Sequence, residues 1–317
     1  MTETLFFLVA GLILVILGSN ILVDGASAIA RRFKLSEFII GLTIVGMGTS
    51  APEMVVSFFG ALRGESDIAV GNVIGSNIFN TLLILGVTGL ILPIDITRRN
   101  RRHDIPVNFL ATAIFIGLGM SGTLFGLGQD GLPQWCGGLL LGLFIAYLVY
   151  SFFSGQKEEE ASGEKDKPLW LASLMTLGGI AALIWGGDRL VDAATQLARE
   201  LKISEKFIAV TLLAGGTSLP ELATCVAAAV KKKGQLALGN IIGSNIFNIL
   251  LIVGGSALIR PLSFNGITLV DMGVLLVSAV ALFTCLFIHR KNQLDRVDGI
   301  LFVAIWMAYM TYLILHL

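Results

Sequence analysis

Two glutamates stand where the sequence leaves no room for water. Glu53 follows Thr49-Ser50-Ala51-Pro52 and Glu221 follows Thr217-Ser218-Leu219-Pro220, each inside a long apolar run. A carboxylate in such a setting is costly unless it faces a partner or a cavity, so a functional role is the default hypothesis. Thr49 and Ser50 precede Glu53 by four and three residues, which puts all three on one helical face. Further along, Asn72, Ser76 and Asn80 recur every fourth residue, as do Asn240, Ser244 and Asn248. Stripes of this kind serve as interhelical glue or point at a shared cavity. Together these residues offer carboxylate, hydroxyl, amide and carbonyl oxygen, with no histidine or thiol among them. Hard cations such as Na⁺ and Ca²⁺ prefer all-oxygen sites. Two carboxylates supply the charge that one Ca²⁺ balances, and several Na⁺ compete for the same oxygens. Mutual exclusion at one site is a physical basis for antiport.

The residues before each glutamate weaken a helix. Pro52 cannot donate to the Gly48 carbonyl, and Pro220 cannot donate to that of Gly216. Gly46-Met47-Gly48 and Gly215-Gly216 loosen the same turns. The expected result is a kink or a break at mid-membrane, where freed carbonyls are satisfied by a hydroxyl such as that of Thr49 or Thr217, or by a bound cation.

The elements that must hold these residues are apolar. The chain is 55% hydrophobic and 14% charged, with zero formal net charge. Its mean hydropathy is +0.84. A soluble domain of 317 residues needs more charge on its surface. Nothing in the charge balance favours nucleic acid. Cys136, Cys225 and Cys285 lie in apolar surroundings without metal-ligand spacing and read as buried hydrophobes. Stretches near 20 residues long can cross a bilayer as helices. Ten are expected, over 5–24, 38–62, 69–93, 105–124, 133–153, 169–190, 206–230, 236–260, 267–288 and 298–316. The run from Leu5 to Leu17 reads as the first span. With both termini outside, 16 of the 22 lysines and arginines fall in inner loops, in agreement with the positive-inside rule. Ser36 and Ser204 read as helix N-caps. Asp24 and Asp192 sit near span ends, where solvation or capping is expected. Trp135, Trp170 and Trp306 fit interfacial or lipid-facing positions.

The chain repeats itself. Residues 49–80 and 217–248 align without a gap at an offset of 168, with 15 identities in 32 positions. Each copy carries five expected spans, an odd number, so the second enters the membrane from the opposite side. The expected fold is therefore an all-α membrane protein of ten transmembrane helices. It is built as two inverted five-helix repeats with discontinuous helices 2 and 7. The repeats occupy 1–153 and 169–317, joined by a charged cytoplasmic linker at 154–168.

The motifs Gly48-Thr49-Ser50-Ala51-Pro52-Glu53 and Gly71-Asn72-Val73-Ile74-Gly75-Ser76-Asn77-Ile78, with their second copies, resemble the sodium/calcium exchanger family of the calcium/cation antiporter superfamily. The short linker is similar to that of prokaryotic members. The resemblance implies ion ligands at Thr49, Ser50, Glu53, Ser76 and Asn80, and at Thr217, Ser218, Glu221, Ser244 and Asn248. It also implies backbone carbonyls at Gly46, Thr49, Ala214 and Thr217. Several family members carry Asp where this chain has Asn248, which opens the choice between Na⁺ and H⁺ as counter-ion. The expected function is exchange of Na⁺ for Ca²⁺ by a monomer in the lipid bilayer of a prokaryotic plasma membrane. A Ca²⁺/H⁺ antiporter is the alternative and a cation channel the rival class. No cofactor motif and no nucleophile–base pair suggests an enzyme.

Overall fold

The computed structural model describes residues 2–126, 128–153, 167–201, 214–288 and 293–316. These residues are mostly helical. In chain order the principal helices are α1 (Thr2–Phe33), α2 (Glu37–Thr49), α3 (Ala51–Arg63), α4 (Ser66–Ile91), α5 (Ile105–Gly119) and α6 (Gln134–Phe153). They continue as α7 (Leu169–Glu200), α8 (Leu219–Val230), α9 (Gly234–Ile259), α10 (Leu269–Ile288) and α11 (Arg296–His316). Among the described residues, six helices are long and apolar enough to cross a membrane, and a seventh span is the bent pair α2 and α3. The chain is a multi-pass membrane protein. Of the other expected spans, α5, α8 and the apolar part of α10 are shorter. Residues 206–213 of the expected seventh span, Ser204, and most of the linker lie outside the described residues.

The hydropathy pattern underestimates the first and sixth helices, which run on to Phe33 and Glu200. Hydropathy marks only the part that lipid can touch, and a helix continues as long as its backbone stays bonded. These two helices lie antiparallel at the periphery. Gly11 faces the backbone of Gly186, Gly18 that of Gly179, and Gly25 that of Ala172 and Thr176. Side chains at these glycines would collide with the opposite backbone, so the small residues are what permit the approach. The other face of α1 is apolar and exposed at Phe6, Ile13 and Leu17.

The centre is built from α2, α4 and α9. An 18-residue window of α9 is 94% buried, against 17% for α11. Three glycines set its distance from α2. Gly41 packs on the Leu236 carbonyl, Gly239 on that of Phe38 and Gly243 on that of Leu42. The expected N-cap at Ser36 is present, its Oγ accepting the Ile39 N–H at 3.3 Å.

The expected discontinuity is present in α2 and α3, which bend by 49° at Ser50. Pro52 sits in the first turn of α3, where its missing N–H costs nothing. The same break recurs at the repeat offset. The short helix Ala214–Gly216 ends, Ser218 takes a matching backbone conformation, and α8 starts with Pro220 in its first turn. Helix widening adds to this. Phe79–Ile84 of α4 and Phe247–Val253 of α9 are π-helical, and each contains one asparagine of the expected site, Asn80 or Asn248. Such wide turns concentrate at functional positions.

Four two-residue strands modify the all-α expectation: β1 (Ile94–Asp95), β2 (Gly131–Leu132), β3 (Leu262–Ser263) and β4 (Gln293–Leu294). They form two antiparallel clips, β1 with β4 and β2 with β3, which tie loops of the two halves of the chain together. Lys231 bonds the Asp24 carboxylate at 2.6 Å and Lys233 that of Glu37 at 2.7 Å, so Asp24 is ion-paired rather than merely solvated. Trp135 and Trp170 are exposed as expected, whereas Trp306 packs edge-on against Phe79. All three cysteines are buried and free.

The close approach of α9 to α2 makes a specific demand. Gly243→Ala places a methyl against the Leu42 backbone. It is expected to lower stability by about 1–3 kcal/mol. Gly142→Ala on α6, where no described atom lies within 4 Å, is expected to be nearly neutral. Thermal unfolding of the two purified variants in detergent distinguishes them.

Candidate cation-binding site

The two helix breaks bring their glutamates to a common centre. Glu53 and Glu221 are both fully buried and near enough to repel each other. Each is held by a serine of the opposite break. Ser218 donates from Oγ to Glu53 Oε1 at 3.0 Å, and Ser50 donates to Glu221 Oε1 at 2.8 Å. These bonds exchange under the 168-residue offset, so the site has a local two-fold relation. The arrangement follows from the breaks. A serine that ends one helix segment, followed by a proline-started helix with glutamate in its first turn, gives each half one donor and one carboxylate.

The remaining carboxylate oxygens find no hydrogen-bond partner among the described residues. Glu53 Oε2 and Glu221 Oε2 are buried in this condition, as are Asn80 Oδ1, Asn248 Oδ1 and Thr217 Oγ1. The first four form two pairs at the repeat offset. No lysine or arginine ion pair involves either glutamate among the described residues. Buried acceptors are normally bonded, and an uncompensated buried charge costs several kcal/mol. A group of buried acceptor oxygens that includes two carboxyl groups, with no cationic side chain paired to them among the described residues, has the chemistry that suits a hard cation.

The other expected ligands take different positions. Ser76 donates to Glu53 Oε1 at 3.4 Å and belongs to the same cluster. Its counterpart Ser244 donates instead to the Gly46 carbonyl at 3.3 Å. That carbonyl also accepts the Ser50 N–H, so Gly46 carries an oxygen that already has partners. Thr49 Oγ1 bonds back to the Val45 carbonyl at 3.1 Å, which helps satisfy the break. Ala214 begins the short helix that leads into the second break.

The polar stripes divide between both of their possible roles. Asn72 donates to the Glu53 carbonyl and to Ser57 Oγ, at 3.1 and 3.0 Å. Asn240 donates to Cys225 Sγ and accepts from Thr49, both at 3.3 Å. These first rungs are interhelical glue, and Ser57 and Cys225 are themselves 168 residues apart. The third rungs, Asn80 and Asn248, keep buried oxygens that find no hydrogen-bond partner among the described residues. Sequence reasoning missed Asn77 and Asn245, which hold those two amides. Their signal was available as the Ser-Asn pairs 76–77 and 244–245, but they fall off the four-residue spacing that defined the stripes.

Comparisons with known proteins identify the family. The profile of the family described as sodium/calcium exchanger protein matches residues 3–153 and again 171–315. The chain is 37% identical to the putative antiporter CaxA of Alkalimonas amylolytica, over 98% of both chains. It is 30% identical to the sodium/calcium exchanger MaX1 of Methanosarcina acetivorans, over 98% of this chain and 99% of that one. Among solved structures, the sodium-calcium exchanger NCX_Mj soaked without Na⁺ and Ca²⁺ superposes with a TM-score of 0.84 at 33% identity, over 98% of each chain. Two profile matches, one on each half, and full-length similarity in sequence and fold place the chain in the sodium/calcium exchanger protein family.

Proposed function

We propose that the protein is a secondary active antiporter that exchanges Na⁺ for Ca²⁺ at one buried site. The observation that carries this reading is the set of buried oxygens on Glu53, Glu221, Asn80 and Asn248 that find no hydrogen-bond partner among the described residues. A Ca²⁺ offsets both carboxylates at once, and Na⁺ ions offset them separately, so one occupant excludes the other. Ser50, Ser76, Thr217 and Ser218 complete the donor set from the same cluster, with Thr49, Ser244 and the carbonyls of Gly46 and Ala214 at its edge. Relatives named as sodium/calcium exchangers support the choice of ions.

The architecture in this reading is ten spans in two inverted repeats, 1–153 and 169–317, with the linker between them. The antiparallel contact of α1 with α7 supports it, because the Gly11–Gly186 and Gly18–Gly179 contacts exchange under the 168-residue offset. Two helices at equivalent positions that run in opposite directions are what an inverted repeat requires. The chain then lies in a prokaryotic plasma membrane with both termini outside. A relative of Escherichia coli K12 named inner membrane protein YrbG, 35% identical over 96% of this chain, supports that membrane.

Alternating access follows from the same symmetry. The Asp24–Lys231 ion pair ties α1 to the end of α8. Its counterparts by offset are Asp192 and Arg63, which form no ion pair with each other. When the halves exchange conformations, the second pair closes as the first opens. A cleft lined by Asp67 and Asp271 and by Gly75, Phe79 and Gly215 supports access from one side. Asp67 and Phe79 lie ~18 Å apart along α4 by helical rise.

Two measurements test these proposals. In proteoliposomes, an outward Na⁺ gradient is expected to drive ⁴⁵Ca²⁺ uptake. Glu53→Gln and Glu221→Gln are each expected to reduce it by more than about 100-fold while the protein stays folded. Uptake driven only by a pH gradient assigns the protein to Ca²⁺/H⁺ exchange, and wild-type rates in both variants remove the site. For alternating access, Asp24→Asn is expected to shift the apparent Ca²⁺ affinities on the two membrane faces in opposite directions, by about two- to fivefold. Equal shifts on both faces rule out the ion pair as a state-dependent tie.

A further inference from the structure

Among the described residues, Asn77 and Asn245 make no hydrogen bond to either glutamate, yet they bond the two amides whose oxygens lack partners. Asn248 donates from Nδ2 to Asn77 Oδ1 at 3.0 Å, and Asn80 donates to Asn245 Oδ1 at 3.3 Å. The two bonds exchange under the repeat offset, and all four side chains are buried. An amide has an acceptor at one end and a donor at the other, so committing the nitrogen in one direction commits the oxygen in the other. Because Asn77 and Asn245 present an oxygen to their neighbours, those neighbours must present nitrogen back. The oxygens of Asn80 and Asn248 are what remain without a partner among the described residues.

Asn77 is itself fixed. Its Nδ2 donates to the Asn245 backbone carbonyl at 3.2 Å. A carbonyl cannot donate, so the reversed amide would set oxygen against oxygen. Asn245 donates from Nδ2 to Thr81 Oγ1 at 2.8 Å. A hydroxyl both donates and accepts, so this second lock is looser. Residue 249, at the offset of Thr81, is isoleucine, and the two locks are therefore unequal.

The geometry points to Asn77 and Asn245 as positioning residues that set the polarity of the cation site. They hold Asn248 and Asn80 so that acceptor oxygen, never N–H, faces the ion. A reversed amide would aim a donor at the cation and cost affinity twice, by removing a ligand and by adding repulsion. This inference rests on the reading of Glu53, Glu221, Asn80 and Asn248 as cation ligands.

The test is a double-mutant cycle with Ca²⁺ as the only probe, read by calorimetric binding in detergent and by ⁴⁵Ca²⁺ exchange in proteoliposomes. Asn77→Ala is expected to weaken Ca²⁺ binding and raise KM by about 10- to 100-fold, the usual range for groups that orient ligands, with kcat nearly unchanged. In an Asn248→Asp background the side chain at 248 has oxygen at both ends, so orientation no longer matters. There the same Asn77→Ala substitution is expected to cost nothing or to improve affinity. An equal penalty in both backgrounds marks Asn77 as a packing residue and overturns the proposal. If Asn77→Ala does not fold, Asn245→Ala with and without Asn80→Asp poses the same question, with a smaller effect expected from the looser lock. Glu53→Gln is the control that separates the two failures. Ca²⁺ binding retained in that variant rejects the site, whereas binding lost there but unaffected by Asn77→Ala rejects the positioning role alone.

Discussion

The structure depends on holding two carboxyl groups away from water with no basic side chain paired to them among the described residues. Glu53 and Glu221 are fully buried, each has one oxygen without a partner among the described residues, and each has a serine of the opposite half on its other oxygen. A protein built only for stability would pair or replace such groups, because each unpaired buried charge costs several kcal/mol. A transporter must leave them unpaired, since the ion that completes them has to depart. The surroundings can be read as the means of tolerating that cost. Serine hydroxyls of the opposite half each donate to one carboxylate oxygen.

The scaffold around this centre is tight where the site needs definition and smooth where lipid begins. Glycines on α2 and α9 bring two backbones into contact beside the site, and a larger residue there would move a ligand-bearing helix bodily. The π-helical turns at Phe79–Ile84 and Phe247–Val253 rotate the helices at Asn80 and Asn248. Away from the centre, α1 and α7 meet through small residues and expose large apolar side chains outward. An interface of small residues resists sliding less than one of interlocked large side chains.

The two halves are similar without being the same. Ser76 bonds a carboxylate while Ser244 bonds a backbone carbonyl. Asp24 has its lysine while Asp192 has no ion pair with Arg63. Thr81 supports an asparagine for which Ile249 offers no equivalent. Some of these differences are written in the residues, as at 81 and 249. Ser76 and Ser244 are the same residue, so that difference comes from how the helices around each one pack.

Much of this was legible in the sequence because it is local or periodic. The duplication, the membrane class, the breaks before Glu53 and Glu221 and the pairing of those glutamates follow from residue order, proline chemistry and hydropathy alone. The all-oxygen character of the site followed from which residue types repeated. Helix ends were less accessible, since α1 and α7 continue past the apolar window that hydropathy detects. What only the tertiary structure decided was direction. A four-residue spacing puts Asn72, Ser76 and Asn80 on one face, but it does not say that Asn72 bonds a neighbouring helix while Asn80 leaves its oxygen free. Nor does it reveal Asn77 and Asn245, whose role exists only across the interface between the two halves. Hydrogen bonds between residues 165 to 171 positions apart leave no periodic trace in a single chain, because their geometry is set by how two helices meet rather than by the turn of either one.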